Sequence, residues 1–340
     1  MPSAAPTAAE LLPLLRGVSR SFYLSVRVLP GPLRHPIGLA YLLARATDTV
    51  ADAPGLPAAA RLELLDALDA AIQAAAMPLS LAQRLAQAGE GLPDACEAAL
   101  LRALPGCFAA LAGLSAGDRA ATQAVLREIA SGQRLDLQRF PGTGAPRALA
   151  DEAEAVDYMQ RVAGCVGGFW TAMCAAHLPG FAELPEAQMR ALGESLGRGL
   201  QRINILRDAG ADLAAGRCYF PASRLQALGL TAATLAARPG ALRPLWDDWI
   251  AQAAVAMDDG MRYALGLRSR RLRVACALPA LVGLRTLALL RAAGPAQALA
   301  QRVKMPRAEL RALLAGIALT LAGRGHLERT WHRLRDNGAP

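Results

Sequence analysis

Two pairs of aspartates stand one helical turn apart in otherwise apolar surroundings. Asp48 and Asp52 lie in ATDTVAD (46–52), Asp208 and Asp212 in NILRDAGADL (204–213), and Asn204 sits one turn before the second pair. Residues i and i+4 of a helix share a face, with Cβ atoms about 6 Å apart. Two ionised carboxylates at that separation repel by ~3 kcal/mol at an effective dielectric of about 20. A solvated face would dissipate this repulsion cheaply. Here, however, the first pair ends the apolar run HPIGLAYLLARATDTVAD, and the second extends a stripe of oxygen donors that begins at Asn204. Arg45 and Arg207 stand three residues and one residue before the leading aspartate of each pair. All-oxygen donors select hard cations over zinc, with Mg²⁺ foremost and Mn²⁺ in the same class. Magnesium completes its octahedron with water and substrate phosphate, so the donor set implies a diphosphate-bearing substrate whose phosphates also pair with arginine. If the two helices face each other, cations are needed to hold their acids together.

The elements that must position these groups are expected to be helical. Hydrophobic residues make up 54% of the 340-residue chain and aromatics only 4%, so the core must be built mainly from Leu, Ala and Val, of which Leu and Ala are strong helix formers. Periodicity predicts helices over 36–52, 57–75, 94–112, 116–138, 151–177, 185–214, 242–272, 275–292 and 306–322. The joints carry Pro and Gly, as in PGTGAP, ARPGALRP and AAGPAQ. With no composition shift to mark a linker, residues 1–340 read as one all-α domain, of which 1–15 form a loosely ordered leading segment.

The six cysteines show no CxxC pair and lie in apolar segments, which predicts buried free thiols in a reducing cytoplasm. MPSAAPTAAELLPLL lacks the basic n-region of a signal peptide. No run of about 18 uncharged apolar residues is present, so a soluble, cytoplasmic chain is expected. The net charge of +9 favours acidic partners. LRSRRLR (267–273) is a basic cluster without base-reading neighbours, which argues against nucleic acid and leaves a solvated helix end or contact with an anionic membrane surface. The four histidines have no zinc spacing.

Four stretches, in order, resemble the squalene/phytoene synthase family of head-to-head prenyl synthases: SRSFYLSVRVLP (19–30), YLLARATDTVAD (41–52), YMQRVAGCVG (158–167) and QRINILRDAGADLAAGRCYFP (201–221). The similarity runs from about residue 16 to at least 290. It implies the all-α isoprenoid-synthase fold, a single bundle around a central cavity. By position, Asp48 and Asp52 resemble the first aspartate-rich motif of the family, Asp208 and Asp212 the second, and Asn204 the asparagine preceding it, so these five would be the metal ligands. Arg45, Gln201, Arg207 and Arg217 match positions used around the diphosphates. Ser19, Arg20, Ser21 and Phe22 match the substrate-contacting segment. Tyr41 and Tyr158 match active-site tyrosines, and Tyr158 would assist proton transfer. Ala163, Gly164 and Val166 match the small-residue wall of the prenyl channel. Two departures stand out: Ala51 where an acid is common, and Arg161 where an aromatic residue or glycine is common.

The resemblance implies an enzyme that joins two farnesyl diphosphates head-to-head, with Mg²⁺ at the aspartates. YALGLRSRRLRVACALPALVGLRTL (263–287) and QRVKMPRAEL (301–310) resemble squalene synthase segments, and the second makes Lys304 and Arg307 candidates for holding NADPH phosphates. The chain contains no GxGxxG. The metal residues alone are equally compatible with a phytoene, dehydrosqualene or presqualene diphosphate synthase. A non-catalytic prenyl-binding subunit would be expected to have lost aspartates, and all four are present. A water-insoluble product makes peripheral contact with a membrane surface an expectation as well. Oligomeric state is left open.

Overall fold

The computed structural model describes residues 8–142, 145–319 and 323–337; side chains of residues 8–10, 20, 21, 317–319 and 337 lie outside the description. Helices dominate, as expected: α1 (Ala8–Val18), α2 (Arg20–Val28), α3 (Gly31–Ala51), α4 (Ala58–Ala74), α5 (Leu79–Glu90), α6 (Ala95–Ala112), α7 (Ala116–Arg139), α8 (Glu152–Met159), α9 (Cys165–His177), α10 (Glu186–Ala214), α11 (Ala222–Ala227), α12 (Arg243–Gly266), α13 (Arg270–Ala300), α14 (Arg307–Leu319) and α15 (Arg324–Asn337). Two short strands, β1 (Arg147–Leu149) and β2 (Arg217–Pro221), pair in parallel, with Arg147 opposite Arg217 and Ala148 opposite Cys218. The chain forms two compact units, one of residues up to Gln138 plus Ala172–Pro179, the other of Arg139–Thr171 plus Gly180 onward.

In the first unit α3 is the central helix, in contact with α1, α2, α4 and α6. Leu33, Ile37, Leu39, Leu42, Leu43 and Val50 are at most 2% exposed, and full burial of each such side chain contributes about 1.5–3 kcal/mol. Residues 8–15 belong to α1, in which Leu11 and Leu15, one turn apart, are both buried. In the second unit α10, α12 and α13 pack on one another, around Trp246 and Trp249, both fully buried. Arg202 of α10 sits over the Trp249 ring at 5.4 Å. α13 kinks at the expected joint, where Gly294 adopts a left-handed backbone (φ 65°) just before Pro295.

Among the described residues two helices, α6 and α13, are long and apolar enough to cross a membrane. Of their most apolar windows 44% and 67% are buried, and for α13 the burial is against α10 and α12, which makes it a core helix. All six thiols are free; Cys107, Cys174, Cys218 and Cys276 are buried, Cys165 is half-buried, and Cys96, against expectation, is exposed. Burial pushes the Cys107, Cys174 and Cys218 thiols up to about 12.

Candidate active site

On α3 the functional side chains form a single stripe: Tyr41, Arg45, Asp48 and, at the C-cap, Asp52. Tyr41 stacks on Phe22 of α2, with ring centroids 4.1 Å apart and an interplanar angle of 17°. Burial, opposed by a hydrogen bond from Ser19 and the Arg45 charge, raises the Tyr41 phenol above its ordinary value. Ser19 also caps α2, accepting from the Phe22 amide at 3.2 Å; its first assignment is therefore to shape the segment. The side chains of Arg20 and Ser21 lie outside the described residues. Arg45 donates to Asp48 at 2.5 Å and pairs with Glu97 of α6.

The end of α3 concentrates negative charge. Asp48 and Asp52 lie where the helix presents its unpaired carbonyls, the negative pole of the macrodipole, and the Asp52 amide itself is tied to the Asp48 carbonyl. Desolvation by the surrounding protein, then the Asp52 charge, push the Asp48 carboxyl up to about 6 despite the Arg45 contact. Yet 45% of that side chain remains accessible, which leaves an approach for a cation. A helix terminus that places two acids at its own negative pole is unfavourable unless positive charge arrives from elsewhere.

On α10 a second stripe runs Gln201, Asn204, Asp208 and Asp212, all half-buried, between the buried Arg202, Ile203, Ile205, Leu206 and Ala209. The Asn204 side-chain amide donates to the Gln201 side-chain oxygen Oε1 at 3.3 Å. Asp208 lies between two guanidinium forks: Arg207 donates at 2.6 and 3.1 Å and Arg302 at 2.6 and 3.1 Å. Arg217 reaches Asp212 at 3.0 Å, because the chain reverses after α10 through Gly216, whose φ of 81° suits only glycine comfortably.

The Arg302 contact depends on another glycine. A Cβ at Gly210 would lie 2.1 Å from the Leu299 carbonyl oxygen, so the tail of α13 passes directly over the α10 backbone. The segment 301–306, without regular structure, leads from there to α14. Lys304 on it and Arg307, which opens α14, are both exposed. Two free-standing cations beside a helix N-terminus could hold phosphate.

Tyr158 is 8% exposed and stacks on Tyr219 of β2, with centroids 4.9 Å apart. It stands immediately before a π-helical turn, Gln160–Gly164, which interrupts the expected single helix over 151–177. Such turns often accompany functional sites. Arg161 within it pairs with Asp157 at 2.8 Å. The small residues expected to line a prenyl channel have a packing assignment. A Cβ at Gly167 would meet the Gly193 carbonyl at 2.1 Å, and one at Gly197 the Ala163 carbonyl at 2.4 Å; Ala163, Gly164 and Gly167 thus admit α10 at close range. Val166 is 37% exposed.

Glu97 and Arg302 escaped the sequence reading. Each is an ordinary charged residue in sequence, 52 and 94 positions from its partner. Among the described residues no three His, Cys, Asp or Glu side chains gather into a ready cation cage; arginines supply positive charge at Asp48, Asp208 and Asp212. The carboxylate and amide oxygens of each stripe are hard donors of the kind that hold Mg²⁺ or Mn²⁺.

This helical framework is the all-α isoprenoid-synthase fold. It is similar to TcSQS bound to the ligand BPH1237, with a TM-score of 0.77 and 20% identity over 96% of this chain and 90% of that one. It is also similar to a squalene synthase from Alicyclobacillus acidocaldarius, with a TM-score of 0.58 and 21% identity over 84% and 93% of the two chains. The chain belongs to the squalene/phytoene synthase family, whose profile matches residues 15–309, a family of prenyltransferase-type enzymes. It is 30% identical to the presqualene diphosphate synthase of Rhodopseudomonas palustris over 69% of this chain and 72% of that protein. It is 32% identical to a bifunctional lycopene cyclase/phytoene synthase of Leptosphaeria maculans over 68% of this chain, and that match spans 37% of the fungal protein.

Proposed function

We propose that the chain is a squalene synthase, joining two farnesyl diphosphates head-to-head through presqualene diphosphate and reducing that product to squalene. The observation that carries this reading is the bracketing of acidic stripes by arginine: Arg45 on Asp48, Arg207 and Arg302 on Asp208, Arg217 on Asp212. Such an arrangement binds a cation and a polyanion together, because each new negative group finds guanidinium already in place. Mg²⁺, when bound by Asp48, Asp52, Asn204, Asp208 and Asp212, would supply Lewis-acid stabilisation of the departing diphosphate.

The arginines then turn from carboxylate to diphosphate and hold the negative charge that develops as the carbon–oxygen bond breaks. Phe22 and Tyr41 present an apolar aromatic stack beside the first stripe and help exclude water from the allylic cation. Attack by the double bond of the second prenyl chain, with closure of a three-membered ring, releases one proton. The Tyr158 oxygen passes that proton to the freed diphosphate. Once the remaining diphosphate leaves and the carbon skeleton rearranges, NADPH, with its phosphates on Lys304 and Arg307, would supply the hydride that quenches the cation to squalene. Arg302 ties the segment carrying both residues to Asp208, which supports a reducing step near the second stripe. We place the chain in the cytoplasm, with peripheral contact to a membrane surface.

A second reading, a presqualene diphosphate synthase, is favoured by the Rhodopseudomonas relative, which aligns over about the same share of both chains. Incubation with farnesyl diphosphate and Mg²⁺, with and without NADPH, followed by mass spectrometry, separates the two. Squalene formed only with NADPH is the expected result. Presqualene diphosphate that NADPH never converts selects the second reading, and turnover confined to geranylgeranyl diphosphate overturns both.

A further inference from the structure

The second unit holds a concentration of arginine that the proposed reaction does not use. An open cavity of about 380 Å³ is lined by Arg268, Arg270, Arg273, Arg324, Gly323 and Glu183. Four guanidinium charges face one carboxylate, and that carboxylate is already paired with Arg324. Arg268 and Arg270 are exposed and make no ion pair with a described residue. Arg273 is only 6% exposed and donates to the carbonyls of Leu267 and Arg268 at 2.9 and 3.3 Å. Burial, and then the neighbouring Arg324 and Arg270, press its guanidinium below the ordinary arginine value.

Two helices also start at this cavity: α13 at Arg270 and α15 at Arg324. Neither has an acid in its first turn, and the N-cap of α13, Ser269, makes no side-chain capping bond. Amides at both termini add partial positive charge to the guanidinium groups. The framework is rigid. The Arg268 amide donates to the Phe181 carbonyl at 2.9 Å and the Glu183 amide to the Gly266 carbonyl at 2.8 Å, which clamps loop and helix entry together. Gly180, at φ 65°, lets the loop turn beside the Arg268 guanidinium. A basic face kept for solubility would spread its cations through water and would not bury one among the others between two helix ends that lack a first-turn acid.

We propose that this cavity is a binding site for a phosphate-bearing anion, separate from the residues assigned to the diphosphate substrates. The anion lies across the two helix termini and is gripped by Arg268, Arg270 and Arg324, with Arg273 fixing the floor. A lipid phosphate headgroup and a free phosphate or diphosphate share this chemistry.

The test uses the full chain and a variant carrying Arg268→Glu and Arg270→Glu, two exposed positions whose change leaves the buried Arg273 in place. Circular dichroism and squalene formation should match the wild type. Inorganic phosphate and pyrophosphate are titrated calorimetrically with chelator present, since the acidic stripes need Mg²⁺ to hold an anion. Flotation is measured on phosphatidylcholine vesicles with and without phosphatidic acid. Saturable uptake of either free anion that weakens by about tenfold or more in the variant supports the site and a soluble ligand. Flotation that requires phosphatidic acid and is lost in the variant, without uptake of free anion, supports the site and a lipid ligand. Equal binding by wild type and variant, or no binding of any probe, overturns the proposal.

Discussion

Replacing Gly210 by alanine tests the link between the second acidic stripe and the tail of α13. An added Cβ would lie 2.1 Å from the Leu299 carbonyl oxygen, 2.8 Å from its carbonyl carbon and 3.2 Å from its Cα. Comfortable separations between non-bonded heavy atoms are about 3.5–4.0 Å, so the two helices must part by more than about 1 Å. The obstacle is backbone, which cannot rotate away as a side chain could. Overpacking of this kind costs about 1–3 kcal/mol or more, against about 1 kcal/mol gained by placing alanine in a helix. Against a backbone obstacle the upper end of that cost applies, so the expected net is a loss of about 2 kcal/mol, read by urea unfolding followed by circular dichroism. Arg302 lies three residues beyond Leu299, so its fork on Asp208 should open as well and expose Lys304 to faster tryptic cleavage. Gly117→Ala is the control: Gly117 lies in α7 with nothing within 4 Å of an added Cβ, and alanine there should be neutral or stabilising. If Gly210→Ala proves as stable as wild type, with cleavage at Lys304 unchanged, the close approach is wrong and the placement of the 301–306 segment falls with it.

Asp48→Asn and Asp208→Asn should each abolish turnover of farnesyl diphosphate while leaving the helical circular dichroism spectrum intact; full activity in either removes the cation assignment. Tyr158→Phe keeps the ring stacked on Tyr219 but removes the hydroxyl, and should slow product formation by about 10²-fold while leaving the helical circular dichroism spectrum intact. Glu309 receives a bidentate grip from Arg285 at 2.7 and 3.0 Å, which holds its carboxyl below the ordinary value near 4.5. A depressed folded-state value stabilises above the unfolded one and fades as pH falls through the folded one. Glu309→Gln should therefore cost about 1 kcal/mol at neutral pH, and the gap to wild type should close in urea titrations as the medium is acidified below about pH 4.

Helices were legible because their causes are local. Leu and Ala content, period and Pro/Gly joints placed α4, α6, α7 and α10 within a residue or two of their observed ends, and the Gly294–Pro295 joint appears as a kink. Helices α1, α2, α5, α11 and α15 went unassigned although helix formation is local; the other features that escaped have non-local causes. β1 and β2 are three and five residues long and exist through pairing across some seventy positions of chain, which no local pattern encodes. Glu97 and Arg302 find their partners only after folding. The π-turn at Gln160–Gly164 leaves the apolar pattern of 151–177 almost unchanged, so periodicity reads straight through it.

The small residues of VAGCVGG illustrate how a correct observation can serve two causes. The resemblance gives Ala163, Gly164 and Val166 to the wall of a prenyl channel, yet the contacts of Gly167 and Gly197 show room for another helix. Each glycine within α9 and α10 weakens its helix by about 0.5–1 kcal/mol relative to alanine, an expense that close backbone approach offsets through packing. The two assignments diverge experimentally at Val166, which is 37% exposed and takes no part in the glycine contacts. Val166→Phe adds bulk only where a channel wall would stand. It should leave the unfolding midpoint near wild type and shift the distribution of products by chain length. If the variant instead loses stability with its product pattern unchanged, Val166 belongs to the packing seam and the wall lies elsewhere.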